Sequence, residues 1–166
     1  MNIQVGEHLT RPTSVVGAGE NETQRVVVGI PSASRAHILT ETVQKIADQT
    51  RLPDLVLVCV SDFADAGDVE RLDLPFPVRV LISAKGAARQ RNRILNALDA
   101  QDLLLFLDDD FLMAPDYLEQ VEALFDTQSD VVLATGTLIA DGIVGPGLDH
   151  AAGQKLLAQA LKTPAG

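Results

Sequence analysis

The stretch from Leu103 to Asp110, LLLFLDDD, joins an apolar run directly to three consecutive carboxylates. A run this apolar is typical of a strand that is covered on both faces, as in parallel sheets. The residues that follow such a strand lie at the carboxyl edge of the sheet, where ligands of open α/β sheets bind. The stretch therefore predicts a parallel α/β fold and the place of its functional site.

Other apolar runs alternate with segments in which apolar residues repeat at helical spacing. The predicted strands are Val26–Ile30, Leu55–Val60, Val78–Ile82, Leu103–Leu107 and Val131–Ala134. The predicted helices contain Leu39, Val43 and Ile46; Ile94, Leu95 and Leu98; Leu118, Val121, Leu124 and Phe125, with Pro115 in the first turn; and a last stretch from about His150 to Leu161. This alternation predicts a three-layer α/β sandwich with a mainly parallel sheet and helices on both faces.

Composition limits the class of protein. The 166 residues have the size and apolar content of one domain, which we expect over residues 25–166 after a flexible N-terminal arm, residues 1–24. The net charge of -10 argues against nucleic-acid binding.

Cys59 is the only cysteine, which excludes an intramolecular disulfide and a cysteine-based zinc site. Without a secretory signal or a membrane-spanning run, we expect a cytoplasmic protein with no integral membrane segment.

The acidic run Asp108–Asp110 predicts a metal site. Three adjacent carboxylates repel one another unless a positive charge lies among them. Mg²⁺ or Mn²⁺ supplies that charge, because it takes one or two protein carboxylates and completes its shell with water and phosphate oxygens. Alternation along the strand would direct Asp108 and Asp110 to the same side, so we predict these two as ligands. The alternative is a solvated acidic turn.

A basic segment, Lys85–Arg93, holds four of the 13 Lys and Arg residues. If a helix begins near Ala87, its free backbone amides favour phosphate, and Gly86 permits the close approach that a diphosphate needs. Arg89 and Arg93 would share one face of that helix. A solvated basic helix face remains the alternative reading of these residues.

The loops after the first two strands lie at the same predicted edge. They contain Pro31, Ser32, Arg35 and Asp62, which could shape a pocket for a base and a ribose, although such residues also occur in ordinary turns. His37 and His150 are interpreted as structural, because neither has a second ligand at a defined spacing. Neither a P-loop nor a dinucleotide-binding glycine motif is present in the sequence.

The order of these motifs resembles family 2 glycosyltransferases with the GT-A fold, from about Arg25 to Gly136. The segments that carry the resemblance are Val26–Ser32, Val60–Asp62, Gly86–Asn92 and Phe106–Asp110. The resemblance implies that Asp108 and Asp110 form an Asp-x-Asp motif binding Mn²⁺ or Mg²⁺ on the diphosphate of a sugar nucleotide. Gln90-Arg91-Asn92 is similar to the family's Ala-Arg-Asn, which implies a phosphate contact for Arg91, while Gln90 departs from the pattern. Asp62 falls where a base-binding carboxylate is usual.

The resemblance also implies an activity, the metal-dependent transfer of a sugar from a nucleoside diphosphate donor to an acceptor hydroxyl, with inversion. The acceptor, a saccharide or a lipid-linked saccharide, is not specified, and we expect a cytoplasmic protein that could lie at the inner face of the membrane. The predicted donor-binding residues are Pro31, Ser32, Arg35, Asp62, Gly86, Arg91, Asp108 and Asp109, with Asp108 and Asp110 as metal ligands.

The general base has no predicted residue. The family normally places its acceptor site and base in a C-terminal portion, often within a Glu-Asp pair, and this sequence has no such pair. Asp141 and Asp149 have no spacing that singles them out. We therefore expect an N-terminal, nucleotide-sugar-binding portion that lacks most of the acceptor half. The alternatives are a non-catalytic sugar-nucleotide-binding module and a phosphoryl-transfer receiver domain, and the latter needs an acidic pair where Pro31 and Ser32 stand.

Overall fold

The structure is a computed structural model that describes residues 24–140 and 148–162. The predicted N-terminal arm, apart from Gln24, and Asp141 lie outside these residues. Strands and helices alternate along the described chain, with two short 3-10 helices, Phe63–Ala66 and Val69–Arg71, before the third strand. The elements are β1 (Val26–Pro31), α1 (Ala36–Ile46), β2 (Leu55–Val60), β3 (Val78–Ile82), α2 (Ala87–Leu95), β4 (Leu103–Phe106), α3 (Tyr117–Thr127) and α4 (His150–Ala160).

The strands form one parallel sheet in the order β3-β2-β1-β4. The two central strands, β1 and β2, are buried along their whole length, which explains their unbroken apolar sequences. Gly29 in β1 pairs with Leu57 on one side and Phe106 on the other. Because all four strands run the same way, the loops that follow them meet at one edge.

Helices cover both faces of the sheet. On one face, Leu39 and Val43 of α1 and Leu118 of α3 belong to the same apolar cluster as Val28 and Val58. On the other face, the α2 residue Ile94 belongs to a second cluster with Leu57 and Leu81. The predicted three-layer α/β fold with helices on both faces is therefore confirmed.

Gly29 lets α2 lie close to the centre of the sheet. A Cβ atom at this position would lie 2.9 Å from the Ile94 Cγ2 atom and 3.1 Å from the Leu104 Cδ1 atom. Real Cβ contacts are longer than the first of these distances, so a larger residue here would displace its neighbours. The glycine thus sets the spacing between the sheet and the helix whose first turn borders the site.

Some predicted boundaries are wrong by one or two residues. β4 ends at Phe106 instead of Leu107, although the Leu107 amide still donates to the Gly29 carbonyl at 3.0 Å. Pro115 precedes α3, which begins at Tyr117. α2 ends at Leu95, which is exposed, and Leu98, predicted in the same helix, packs against the sheet beyond the helix end. Element ends of this kind are set by local hydrogen bonds and not by the apolar pattern.

The predicted strand Val131–Ala134 is wrong. The segment after α3 has no regular structure, and Val132 and Leu133 are 92% and 84% exposed. A β-branched run forms a strand only when a neighbouring strand accepts its hydrogen bonds and a layer covers its side chains. In the described residues this segment has neither.

Candidate functional site

The carboxyl edge of the sheet brings together most of the charged residues that we predicted for the site. Arg35 lies in the loop after β1, Arg91 lies on α2, and Asp108–Asp110 follow β4. These segments are adjacent because β1 and β4 are neighbours in the sheet and α2 packs over β1 and β2. Arg35 and Arg91 each form an ion pair with the acidic run.

Asp109 points into the protein and is only 2% exposed. Its Oδ2 atom accepts a hydrogen bond of 2.5 Å from the Ser32 hydroxyl, and its Oδ1 atom accepts one from Arg35. The Thr42 hydroxyl on α1 donates a hydrogen bond of 2.7 Å to the backbone carbonyl of Asp109. Burial raises the pKa of the Asp109 carboxyl group, an effect that the Ser32 and Arg35 hydrogen bonds oppose. Asp109 therefore joins the loops after β1 and β4.

Asp108 and Asp110 point outward, with side chains that are 68% and 52% exposed. The Arg91 guanidinium donates to Asp108 at 3.1 Å, and the Arg35 guanidinium donates to Asp110 at 2.9 Å. The middle residue is buried and its two neighbours are exposed, but the run lies beyond the end of β4, so strand alternation does not explain this arrangement. The run itself forms a turn, in which the Phe111 amide donates to the Asp108 carbonyl at 3.1 Å.

The donor set of the two outer carboxylates fits a hard divalent cation. Within residues 24–140 and 148–162, no three His, Cys, Asp or Glu side chains come together as a metal site. Mg²⁺ commonly uses only one or two protein carboxylates and takes its other oxygens from water and substrate phosphates. Asp108 and Asp110 are the right ligand type and are accessible from solvent, so the residues present are compatible with such an ion.

Arg91 has a second contact besides Asp108. Its guanidinium carbon lies 5.9 Å from the centre of the Phe106 ring, within the range of a cation–π interaction. Phe106 is the last residue of β4, two residues before the turn that begins at Asp108. The ring and Asp108 thus hold the guanidinium beside that turn.

Gln90 is buried and its side chain reaches across the ends of β1 and β2. Its amide donates to the Ser32 carbonyl at 2.7 Å and to the Cys59 carbonyl at 3.0 Å. We define the buried polar cluster as Ser32, Thr42, Gln90 and Asp109, which are four of the five buried polar or charged residues in the described chain. Gln90 and Thr42 were not predicted for the site. Gln90 was only weakly indicated by the sequence, in which it lies four residues before Ile94, so both occupy the inner face of α2.

The remaining predicted donor-binding residues lie at the same edge. α2 begins at Ala87 as predicted, and Gly86 has a φ of 132° with nothing within 4 Å of where a Cβ atom would stand. Only glycine adopts this backbone conformation readily, and the space beside it is open. Asp62 is exposed and caps the 3-10 helix after β2 by accepting a hydrogen bond of 3.0 Å from the Ala64 amide. Pro31 is the buried last residue of β1.

The residues considered for other roles have structural partners or lie elsewhere. His150 pairs with Glu41 at 2.9 Å, and the Asp149 side chain caps α4 by accepting a hydrogen bond of 2.7 Å from the Ala152 amide. His37 is exposed on the first turn of α1. Ser32 and Asp109 hydrogen-bond to each other beneath the surface, and their predicted contact with a donor stays a prediction.

The chain is a parallel α/β domain of the open-sheet class, in which ligands bind at the carboxyl ends of the strands, and here acidic and basic residues lie at that edge. Residues 27–161 match the family described as Glycosyl transferase family 2, so the chain belongs to that family. No match was found among curated protein sequences.

A solved structure supports the fold. The chain is similar to the crystal structure of S. aureus TarS, with a TM-score of 0.55 and 21% sequence identity. The similarity covers 76% of this chain and 23% of the TarS chain. The fold is therefore of the predicted GT-A type, and this chain spans about a quarter of the length of that relative. Among the described residues, no helix has the length and apolarity of a membrane span.

Proposed function

We propose that this chain binds a nucleoside diphosphate sugar and a divalent cation at the carboxyl edge of its sheet and transfers the sugar to an acceptor hydroxyl with inversion. One observation carries the proposal: two exposed carboxylates, Asp108 and Asp110, lie at this edge with two guanidiniums, Arg35 and Arg91. Family membership supports glycosyl transfer as the class of reaction.

The charge of this cluster supports a requirement for a cation. Three carboxylates and two guanidiniums leave a formal charge of about one negative unit, and a nucleoside diphosphate would add two or three more. Such a ligand would be repelled without further positive charge. Asp108 and Asp110 would hold Mn²⁺ or Mg²⁺, which supplies Lewis-acid neutralisation of diphosphate oxygens. The site thereby becomes favourable for the donor.

The chain's own residues would then bind the donor. The amides of the first turn of α2 and the open space beside Gly86 suit the diphosphate, because a helix N-terminus favours anions. Arg91 lies beside this turn and would stabilise the negative charge that develops there. Asp62, which follows β2 and is exposed, would accept hydrogen bonds from a base or a ribose.

The transfer step breaks the bond between the anomeric carbon and the diphosphate oxygen, which leaves with the electron pair. A bond forms between that carbon and the acceptor oxygen on the opposite face, and the acceptor proton goes to a base. Arg91 and Arg35 would oppose the charge on the leaving diphosphate. We assign the base to no residue, because Asp149 caps α4 and Asp141 lies outside the described residues.

A second candidate is binding of a sugar nucleotide without transfer. It is favoured by the 23% coverage of the TarS chain, because the similarity does not extend to the rest of that longer protein. Donor hydrolysis, measured with and without acceptor saccharides and with Mn²⁺ or Mg²⁺, distinguishes the two. Turnover supports transfer, and binding without turnover under every condition supports the module.

Binding itself is tested by the melting temperature with UDP, GDP, CDP, ADP and dTDP, each with and without Mn²⁺. A ligand at one hundred times its Kd stabilises a protein by about 2.7 kcal/mol, which shifts the melting temperature of a domain of this size by several degrees. We expect such a shift with at least one nucleotide, and only when Mn²⁺ is present.

The Asp110→Ala variant should lose this metal-dependent shift. Asp126→Ala is the matched control, because it removes an exposed carboxylate from the end of α3, away from the strand ends. The proposal fails if no nucleoside diphosphate stabilises the unchanged protein, or if the two variants respond alike.

A further inference from the structure

We infer that Gln90 is a positioning residue that holds the acidic run in the orientation needed for donor and metal binding. The inference rests on the proposed function and adds to it a residue that contacts none of the carboxylates directly. Gln90 acts through Ser32 and then through Asp109. Each step of this path is a hydrogen bond between buried groups.

The first step joins Gln90 to the peptide that leaves β1. Its side-chain amide donates one hydrogen to the Ser32 carbonyl and the other to the Cys59 carbonyl, at 2.7 and 3.0 Å. The Ser32 amide donates to the same Cys59 carbonyl at 2.9 Å. Both backbone groups of Ser32 are thus fixed, one of them by Gln90. The position of the Ser32 Cβ atom, from which the hydroxyl reaches Asp109, is therefore fixed.

The second step joins Ser32 to the middle of the acidic run. The Ser32 hydroxyl donates to the buried carboxylate of Asp109 at 2.5 Å. Thr42 donates to the Asp109 backbone carbonyl at 2.7 Å, so the side chain and the backbone of this residue are both held from inside the protein. An aspartate that is anchored inward at its side chain and its backbone fixes the course of the turn around it.

The anchored Asp109 determines where its two neighbours point. With the middle carboxylate buried, Asp108 and Asp110 are turned outward, and each meets one arginine. If Asp109 were free to swing outward, three carboxylates would compete for the same surface and repel one another. Gln90 therefore matters for binding because it holds the loop that keeps Asp109 inside.

Gln49 offers a matched control. It is the other buried glutamine of the described chain, and its side chain also makes two hydrogen bonds to backbone, donating to Ala114 at 2.7 Å and accepting from Leu118 at 3.1 Å. Its partners lie at the start of α3 and not in the buried polar cluster. Replacing either glutamine by methionine keeps the length of the side chain and removes its hydrogen bonds.

The test compares Gln90→Met with Gln49→Met in the full chain. Melting temperatures report the structural cost, and calorimetric titration gives the affinity for Mn²⁺ alone and for the nucleoside diphosphate, among UDP, GDP, CDP, ADP and dTDP, that the unchanged protein binds. We expect both variants to melt a few degrees lower. Gln90→Met should weaken both affinities by about 10- to 100-fold, the usual effect of losing a residue that orients metal ligands, and Gln49→Met by less than about twofold.

A double variant checks the path. If Gln90 acts through Ser32, Ser32→Ala alone should weaken binding to a similar extent, and adding Gln90→Met should weaken it little further. Ser32→Ala removes a single hydroxyl, so it also decides the matter if Gln90→Met does not fold. Equal affinities of the two methionine variants, or an unchanged affinity in Ser32→Ala, overturn the inference while leaving the proposed function in place. If the unchanged protein binds neither Mn²⁺ nor any of the nucleotides, the proposed function fails first.

Discussion

Asp109 allows a quantitative comparison of two substitutions, Asp109→Ala and Asp109→Asn. Alanine leaves the buried Ser32 hydroxyl without its acceptor, which costs about 1–3 kcal/mol. It also removes the ion pair with Arg35, but that side chain is half-exposed, so the pair contributes only about 0–1 kcal/mol. We therefore expect Asp109→Ala to lower the free energy of unfolding by about 2–3 kcal/mol.

Asp109→Asn should lower the free energy of unfolding much less, by about 1 kcal/mol or less. The side-chain carbonyl oxygen of asparagine can still accept the hydrogen bond from Ser32. Burial raises the pKa of Asp109, which means that the charged form is disfavoured at this position and that a neutral isostere relieves part of that cost. Arg35 can turn its guanidinium toward solvent and Asp110.

Urea denaturation measures the difference. With a slope of about 1–3 kcal/mol per molar urea, Asp109→Ala should lower the midpoint by roughly 1 M, and Asp109→Asn by clearly less. Asp110→Ala, at an exposed carboxylate, is the control and should change the midpoint little. If Asn is as destabilising as Ala, the negative charge of Asp109 stabilises the fold and our reasoning is wrong.

Three further predictions concern the fold. Gly29→Ala should destabilise by about 1–3 kcal/mol, measured by urea denaturation, because the new methyl group would lie 2.9 Å from Ile94; an unchanged midpoint would show that α2 moves freely. The Arg25 hydrogen bonds lower the pKa of Asp102, so their stabilisation is complete above about pH 4 and is lost as the pH falls below it. Asp102→Asn should therefore lower the melting temperature more at pH 7 than at pH 3, and an equal loss at both would contradict this. Val132→Ser should leave the melting temperature within about one or two degrees, since Val132 is 92% exposed, whereas a clear loss would mean that the segment is covered in solution.

The apolar pattern predicted the four strands of the sheet well. The bounds of β2 and β3 are as predicted, because each run is closed by polar or turn-forming residues. Val131–Ala134 has a similar composition and forms no strand, because strand formation depends on a neighbour that sequence alone does not reveal. The apolar pattern indicates which residues could be buried, and pairing with a neighbouring strand determines which of them are buried.

The sequence predicted at which edge of the sheet the site lies, but not which side chains contact one another there. The sequence placed Arg35, Arg91 and the acidic run at the carboxyl ends of the strands, where the structure has them. It did not indicate that Asp109 is buried against Ser32, because side-chain direction within a turn depends on the loops around it. Nor did it indicate Gln90, since a glutamine among arginines on a helix has the pattern of a solvated surface.

β4 lies at the edge of the sheet, and no strand of the described residues pairs with its outer side. An open edge can recruit a second chain through its free backbone groups, and natural proteins discourage this with short strands and charges. β4 is four residues long, and only Leu107 separates it from Asp108–Asp110. Two copies that met at this edge in parallel would bring their acidic runs together. The carboxylates that we assign to metal binding would thus also protect the protein against self-association, and neutralising them with alanine should raise its tendency to aggregate.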